Sequence, residues 1–238
     1  MVRFVADHDG IIGKMKPSFF ELTVALAFDY FARMKVDIAV VEVGMGGRLD
    51  STNIITPLLS VITNIGHDHM EFLGPTLKAV AGEKAGIIKE GVPVVIGETQ
   101  PETRDVFLQR AEAMHAPVTF ADSRFRCRLG RIFPDSSMRR FTLSGPDDGM
   151  TLKGETPLGG LAQRKNLQTT AAAVEKLSAD LGLSREHFLR GVAGVVENTG
   201  LMGRWQILSR SPLTVCDTGH NREGLEYVMR QVRAAEKE

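Results

Sequence analysis

Cysteine is nearly absent from this chain of 238 residues, which has only Cys127 and Cys216. The two lie far apart in strand-like runs and neither belongs to a CxxC motif, so we expect reduced thiols in a cytoplasmic protein. Net charge is also absent, because 29 Lys and Arg balance 29 Asp and Glu. No global field therefore favours nucleic acid or an anionic membrane, and any polyanion must be bound locally.

Long apolar runs are missing as well. No segment approaches the length of a membrane span, and the first residues, MVRFVADHDG, lack the apolar core of a signal peptide. Internal repeats and low-complexity segments are not found. The hydrophobic fraction of 43% is enough for a sizeable core, so we expect a globular cytoplasmic protein of one large or one and a half ordinary domains.

Strand-like and helix-like segments alternate over the first half of the chain, after an opening stretch, 1–16, with no strong period. Ser18 and Glu21, just after Pro17, have capping-box spacing. The patterns predict, in order, a helix at 17–34, strands at 37–43 and 58–63, a helix at 76–88, a strand at 92–97, a helix at 101–115 and a strand at 117–120. Such alternation predicts βαβ units, hence an α/β fold with a mostly parallel sheet flanked by helices.

The pattern changes at residue 123. Arginines alternate with apolar residues there, which predicts a small antiparallel sheet over 123–156. The arginines could also form a nucleic-acid stripe, but strand alternation explains them, so we favour a solvated face and no nucleic acid. The remaining predicted elements are helices at 164–181 and after Ser184, strands at 205–208 and 213–216, and a helix capped by Asn221 that ends near 235.

The stretch 36–53, VDIAVVEVGMGGRLDSTN, combines a predicted buried strand with a glycine-rich turn. It places the Glu42 carboxylate near the carboxyl end of a strand, where open α/β sheets bind ligands. A buried carboxylate needs a cation, a metal or a hydrogen-bond donor. On spacing alone, a plain ion pair between Glu42 and Arg48 is slightly favoured over a ligand site.

Six motifs in order give this sequence a specific resemblance: EVGMGGRLDSTN, NIGHDHMEFLG, GEKAGIIKEGVPVV, NLQTTAAAVEKL, GRWQI and DTGHN. Together they resemble the folylpolyglutamate synthase and dihydrofolate synthase family of Mur-type ATP-dependent ligases. The resemblance implies a Mur ligase-like central ATPase domain over 1–209, which includes the small sheet, and the start of a C-terminal ligase domain over 210–238.

The resemblance also implies a metal site. Glu42 and His69 would be Mg²⁺ ligands, and Lys84 would match a carbamylated lysine that helps to hold the metal; His69 and Lys84 would be catalytic. Mg²⁺ at a phosphoryl-transfer site takes few protein ligands, which suits this small set. Taken singly, His69 would more often be a loop or core histidine, Lys84 a solvated helix residue and Glu42 an ion-paired strand end.

Two further sets of residues follow from the resemblance. Asn166, Arg204, Asp217 and His220 would bind ATP, since an amide suits adenine, a guanidinium suits phosphate and an imidazole can stack. The last motif departs from the family pattern, with Thr218 for Gly, Gly219 for Ala and Arg222 for Pro. Arg48, Asp50 and Asn53 would lie near the pterin and phosphate sites, although a turn held by Asx hydrogen bonds would use the same residues.

The activity that the resemblance implies is ATP-dependent addition of L-glutamate to dihydropteroate or to the glutamyl tail of folates, by a monomeric enzyme. A phosphate-binding loop ending in GK[ST] is expected in this family but does not occur in the 238 residues. In relatives it precedes the region matched, so we expect this chain alone to be inactive. The alternatives are a Mur-type cell-wall ligase and a non-catalytic nucleotide-binding module.

Overall fold

The computed structural model describes residues 1–67, 70–132, 138–145 and 151–235. In chain order the helices are α1 (Val2–Met15), α2 (Phe19–Met34), α3 (Met70–Leu73), α4 (Leu77–Ala85), α5 (Arg104–Ala113), α6 (Ala121–Arg124), α7 (Gln163–Leu181), α8 (Arg185–Ala193), α9 (Val195–Thr199) and α10 (Arg222–Ala235). The strands are β1 (Ser60–Ile62), β2 (Val94–Ile96), β3 (Val118–Phe120), β4 (Arg126–Ile132), β5 (Arg139–Ser144), β6 (Thr151–Thr156), β7 (Gln206–Arg210) and β8 (Leu213–Cys216), and a 3₁₀ turn spans Ser51–Ile54. None of the helices in these ranges is long and apolar enough to cross a membrane.

A parallel sheet of three strands in the order β1-β2-β3 forms the centre of the molecule. Alternate side chains of this sheet enter two different cores, as the period of a strand requires. Ile62, Val94 and Ile96 pack with α4 and α5, whereas Val95 packs with α7 and the second sheet. The predicted α/β fold with a mostly parallel sheet is therefore confirmed.

The second sheet is antiparallel, in the order β4-β5-β6. Its buried face carries Cys127, Phe141 and Leu143, which pack with α7 and α8, and its exposed face carries Arg126 and Arg128. The small antiparallel sheet predicted over 123–156 is thus confirmed, and so is the solvent-facing position of these two arginines.

Local capping signals were reliable guides to the helix ends. The capping box of Ser18 and Glu21 is present at α2, and Thr76 accepts a hydrogen bond from Ala79 N at the start of α4. Ser184 caps α8, where the His187 ring takes the place of the usual carboxylate and accepts the Ser184 N–H at 3.2 Å. A neutral imidazole nitrogen can make this bond, so an acidic partner is not needed.

One sequence prediction was wrong, and one stretch for which no element was predicted forms a helix. The buried strand predicted over 37–43 is in no sheet of the described residues, and its side chains are largely exposed, with Val40 at 95%. A strand needs a neighbour for its backbone groups, and no described strand pairs with this segment. The opening stretch without a clear period forms α1, in which only Phe4 is buried.

Candidate functional site

The glycine-rich turn packs against the carboxyl-terminal end of α4. Arg48 N donates to the Glu83 carbonyl at 2.8 Å, and the Arg48 guanidinium pairs with the Glu83 carboxylate at 3.0 Å. A Cβ at Gly47 would come within 2.7 Å of Glu83 O and 3.0 Å of Lys84 O. Only glycine permits this approach, so the turn is fixed beside the helix that carries Lys84.

The ion pair expected between Glu42 and Arg48 is not formed, because Arg48 uses Glu83 instead. The reason is tertiary: Arg48 and Glu83 are 35 positions apart and meet only when the turn folds against α4. Glu42 is exposed just before the turn. Spacing along the chain therefore pointed to the wrong partner.

Asp50 and Asn53 hold the turn together from within. Asp50 accepts hydrogen bonds from Met45 N and Thr52 N, both at 2.9 Å, and caps the 3₁₀ turn. Asn53 Nδ2 donates to the carbonyls of Arg48 at 3.2 Å and Gly86 at 3.1 Å. Partial burial alone would raise the pKa of Asp50. The hydrogen bonds that its carboxylate accepts from Met45 N, Thr52 N and the Thr52 hydroxyl outweigh this effect and lower the pKa.

The structure describes only two of the three predicted metal ligands. Lys84 is half-buried in the last turn of α4, next to the turn that follows Glu42, whereas His69 lies outside the described residues. In the part of the chain that the structure describes, no group of three His, Cys, Asp or Glu side chains could hold a metal ion. The predicted metal site depends on His69, which lies outside the described residues, and on Lys84, which is not one of these residue types. It therefore remains a prediction.

The predicted residues Arg204, Asp217 and His220 come together around the β7-β8 hairpin. Asp217 accepts hydrogen bonds from Trp205 N at 2.7 Å and Gly219 N at 2.8 Å, which ties the two ends of the hairpin. The Arg204 guanidinium donates to the Thr218 hydroxyl. Thr218, which stands where the family has glycine, is thus accommodated and contacts a predicted phosphate-binding residue.

The hydrogen bond made by His220 indicates which nitrogen of its ring carries a proton. Its Nδ1 lies 3.1 Å from the Thr218 carbonyl oxygen, which can only accept a hydrogen bond. Nδ1 must therefore carry the proton of this bond. Because His220 is exposed, its Nε2 is then left to contact a ligand, either as an acceptor in the neutral ring or as a donor in the charged one.

Asn166 borders a polar cleft of about 380 Å³ at the carboxyl edge of the parallel sheet. The cleft lies between residues that follow β1 and β2, the first turns of α7, and α10. Asn166 Nδ2 donates to Gln163 Oε1 at 3.0 Å, which orients the amide. This position agrees with the rule that open α/β sheets bind ligands outside the carboxyl ends of their strands.

Sequence reasoning missed three residues of this cleft: Glu98, Lys165 and Tyr227. Lys165 forms an ion pair with Glu98, and its ammonium lies 5.8 Å from the centre of the Tyr227 ring. Burial alone would lower the pKa of Lys165, but its contacts with Glu98 and Tyr227 outweigh it and raise the pKa. These residues come from three distant segments, so no local pattern could have grouped them.

A family model for the Mur ligase middle domain matches residues 10–174. The match extends over more than half of the chain, and it includes the glycine turn, the parallel sheet and most of α7. The chain therefore belongs to the Mur ligase middle-domain family.

Relatives of this chain within that family carry the names dihydrofolate synthase and folylpolyglutamate synthase. The chain is 39% identical to the dihydrofolate synthase/folylpolyglutamate synthase of Bacillus subtilis over 89% of its own length and 48% of the relative. It is 35% identical to the folylpolyglutamate synthase of Lacticaseibacillus casei, over 87% of the chain and 47% of the relative. The chain thus spans about half the length of these curated relatives.

Solved structures agree with the sequence relatives. A complex described as FPGS-AMPPCP-folate matches with a TM-score of 0.84 and 31% identity, over 98% of this chain and 57% of that one. The folylpolyglutamate synthase of Thermotoga maritima matches with a TM-score of 0.79 and 31% identity, over 96% of this chain and 52% of that one. The whole described fold is therefore that of the corresponding half of these enzymes.

Proposed function

We propose that this chain is the central part of an ATP-dependent amide ligase that adds L-glutamate to dihydropteroate or to the glutamyl tail of folates. The supporting observation is the likeness over 98% of the chain to an FPGS structure in complex with AMPPCP and folate. In this reaction the carboxylate of the acceptor is phosphorylated by ATP, and the amine of glutamate then displaces the phosphate from the acyl phosphate. The protein contributes mainly by positioning the reactants.

ATP would be bound by Asn166, Arg204, Asp217 and His220. Arg204 and His220 flank Thr218, beside Asp217, so three of the four side chains are close enough to meet one ligand. The guanidinium suits phosphate oxygens, and the free Nε2 of His220 suits a ring nitrogen or hydroxyl of a nucleoside. Asp217 has one hydrogen bond on each carboxylate oxygen, which leaves lone pairs for a ribose hydroxyl.

Mg²⁺ would be held by Glu42, His69 and a carbamylated Lys84. The packing of the glycine turn on the end of α4 supports the closeness of the first and last of these residues. When bound, the metal would neutralise charge on the transferring phosphoryl group. The acceptor site would be lined by Arg48, Asp50 and Asn53. The turn that they stabilise would border this site.

Three broader expectations belong to the same proposal. The proposed domain division at 209/210 would fall at the end of β7, inside the β7-β8 hairpin, so the second unit would share that hairpin with the first. We propose a cytoplasmic location, which the free thiols of Cys127 and Cys216 suit. We further propose a monomer whose substrates are a folate or dihydropteroate, L-glutamate and ATP.

A ligation assay tests this function. The protein expressed from its native locus would be incubated with ATP, labelled glutamate and either dihydropteroate or tetrahydrofolate, and the products weighed by mass spectrometry. We expect glutamate addition by the native product and none by the 238 residues alone, which contain no GK[ST] loop. Turnover of muramyl substrates instead would favour the cell-wall ligase, and nucleotide binding without turnover by a native product of this length would favour the binding module.

A further inference from the structure

The segment 157–162, which we call the entry loop, leads from β6 into α7 and is held by side chains from distant elements. The carbonyl of Gly159 accepts hydrogen bonds from Arg139 Nη1 on β5 and from Gln231 Nε2 on α10, the latter at 3.0 Å. Leu161 N donates to Gln231 Oε1 at 2.9 Å. A single side-chain amide therefore bridges two backbone groups of this loop.

Gln231 is buried, with 6% of its surface exposed, and both ends of its amide are satisfied by the entry loop. A buried amide is costly without such partners, so its bonds specify where α10 lies. Tyr227, one helical turn earlier on the same face, meets Lys165 of α7 at 5.8 Å. α10 is thus joined to the entry loop through Gln231 and to the start of α7 through Tyr227.

The entry loop also contacts Trp205, which is 6% exposed. A Cβ at Gly159 would lie 3.0 Å from Trp205 Cδ1, so the indole sits directly against this glycine. Trp205 N in turn donates to Asp217 Oδ2 at 2.7 Å. The entry loop therefore links the α7 residue Asn166 to the turn that holds Asp217.

We propose that Gln231 is a positioning residue for the nucleotide site: by holding the entry loop against Trp205, it fixes Asn166 relative to Asp217. The inference rests on the proposed nucleotide role of Asn166 and Asp217. A shift of α10 would be transmitted through the entry loop to both halves of that site, because the loop is the physical connection between them.

The test uses the fluorescence of Trp205, which is the only tryptophan of the chain. Gln231→Met keeps the side-chain length but removes both hydrogen bonds, and Gln109→Met on the exposed face of α5 is the matched control. We expect red-shifted emission and stronger acrylamide quenching in Gln231→Met and no change in the control. Gln231→Asn, too short to reach both backbone groups, should give an intermediate spectrum and serves if Gln231→Met does not fold.

Titration with AMPPCP then separates positioning from simple stabilisation. In the protein expressed from its native locus, we expect Gln231→Met to bind AMPPCP about tenfold more weakly than the wild type, the effect of losing roughly two hydrogen bonds that orient the site. Wild-type emission in both variants, or a shifted emission with unchanged AMPPCP affinity, would overturn the positioning role. No AMPPCP binding by the wild-type protein expressed from its native locus would overturn the proposed nucleotide role, and the emission would still decide whether Gln231 holds the entry loop.

Discussion

Arg48 and Glu83 are joined twice, by a backbone hydrogen bond of 2.8 Å and by an ion pair of 3.0 Å between their side chains. The backbone bond ties the glycine turn to α4, and the ion pair closes over the outside of the same contact. This double link sets where the segment after Glu42 lies relative to Lys84, and it therefore underlies the proposed metal and substrate sites.

Arg48→Lys is expected to weaken this link only modestly. The Arg48 side chain is 58% exposed, so solvent screens the ion pair, and the loss of the forked contact should cost about 0.5 kcal/mol of unfolding free energy. Urea unfolding followed by circular dichroism measures it. The exposed pair of Arg33 and Asp29 on α2 offers the control Arg33→Lys, and a loss several times larger for Arg48→Lys than estimated would show that the contact is less solvated than described.

Gly47→Ala should be far more disruptive. The added Cβ would be 2.7 Å from Glu83 O, which is backbone and cannot easily move, so we expect a loss of about 2 kcal/mol of unfolding free energy. Gly82→Ala is the matched control, because the Cβ there meets nothing within 4 Å and lies inside α4. That variant should gain about 1 kcal/mol from helix propensity. Equal stability of the two variants would contradict the packing of the turn on α4.

Asp50 gives the turn a pH dependence. Its hydrogen bonds hold the pKa below the ordinary value of 3.8, against the opposing effect of burial, so the ionised carboxylate is favoured in the folded state. The stability it contributes is present above that ordinary pKa and is lost as the pH falls through the lower folded value. Urea unfolding between pH 7 and pH 2.5 measures how much larger the unfolding free energy of the wild type is than that of Asp50→Asn. This difference should decrease in that acid range. A difference that stays constant would show that the charge of Asp50 is unimportant, and Asp180→Asn on an exposed helix end serves as control.

The two cysteines should differ in reactivity. Burial raises the pKa of the Cys127 thiol to about 11, despite the opposing charge of Arg164, and the residue is 5% exposed, whereas Cys216 is half-buried. Iodoacetamide at pH 8 should therefore alkylate Cys216 well before Cys127 in the folded protein. Peptide mass spectrometry over a time course measures both rates. Faster modification of Cys127 would mean that the second sheet opens readily.

Local signals in the sequence predicted much of the fold. Ser18, Thr76 and Ser184 each lie at a helix start, because a cap depends on residues only three positions away. The three parallel strands and the small antiparallel sheet were also found, since their periodicity reflects which side chains are buried. The 37–43 strand failed for the opposite reason: its pattern is strand-like, but pairing depends on a neighbour that the pattern cannot specify.

The candidate site was predicted less completely. Asn166, Arg204, Asp217 and His220 came from motif resemblance, and three of them do gather around one hairpin. The partners that hold the site, such as Glu83 for Arg48 and Gln231 for the entry loop, are separated from it by 35 and about 70 residues. Contacts at such separations arise from the tertiary fold and leave no spacing to read.

Ligation by the protein expressed from its native locus tests directly our proposal that this chain is part of a folate-glutamate ligase. With ATP, labelled glutamate and dihydropteroate or tetrahydrofolate, we predict a product heavier by one or more glutamate units, formed only when ATP is present. No mass increase with either acceptor, from a folded native product that binds ATP, would contradict it.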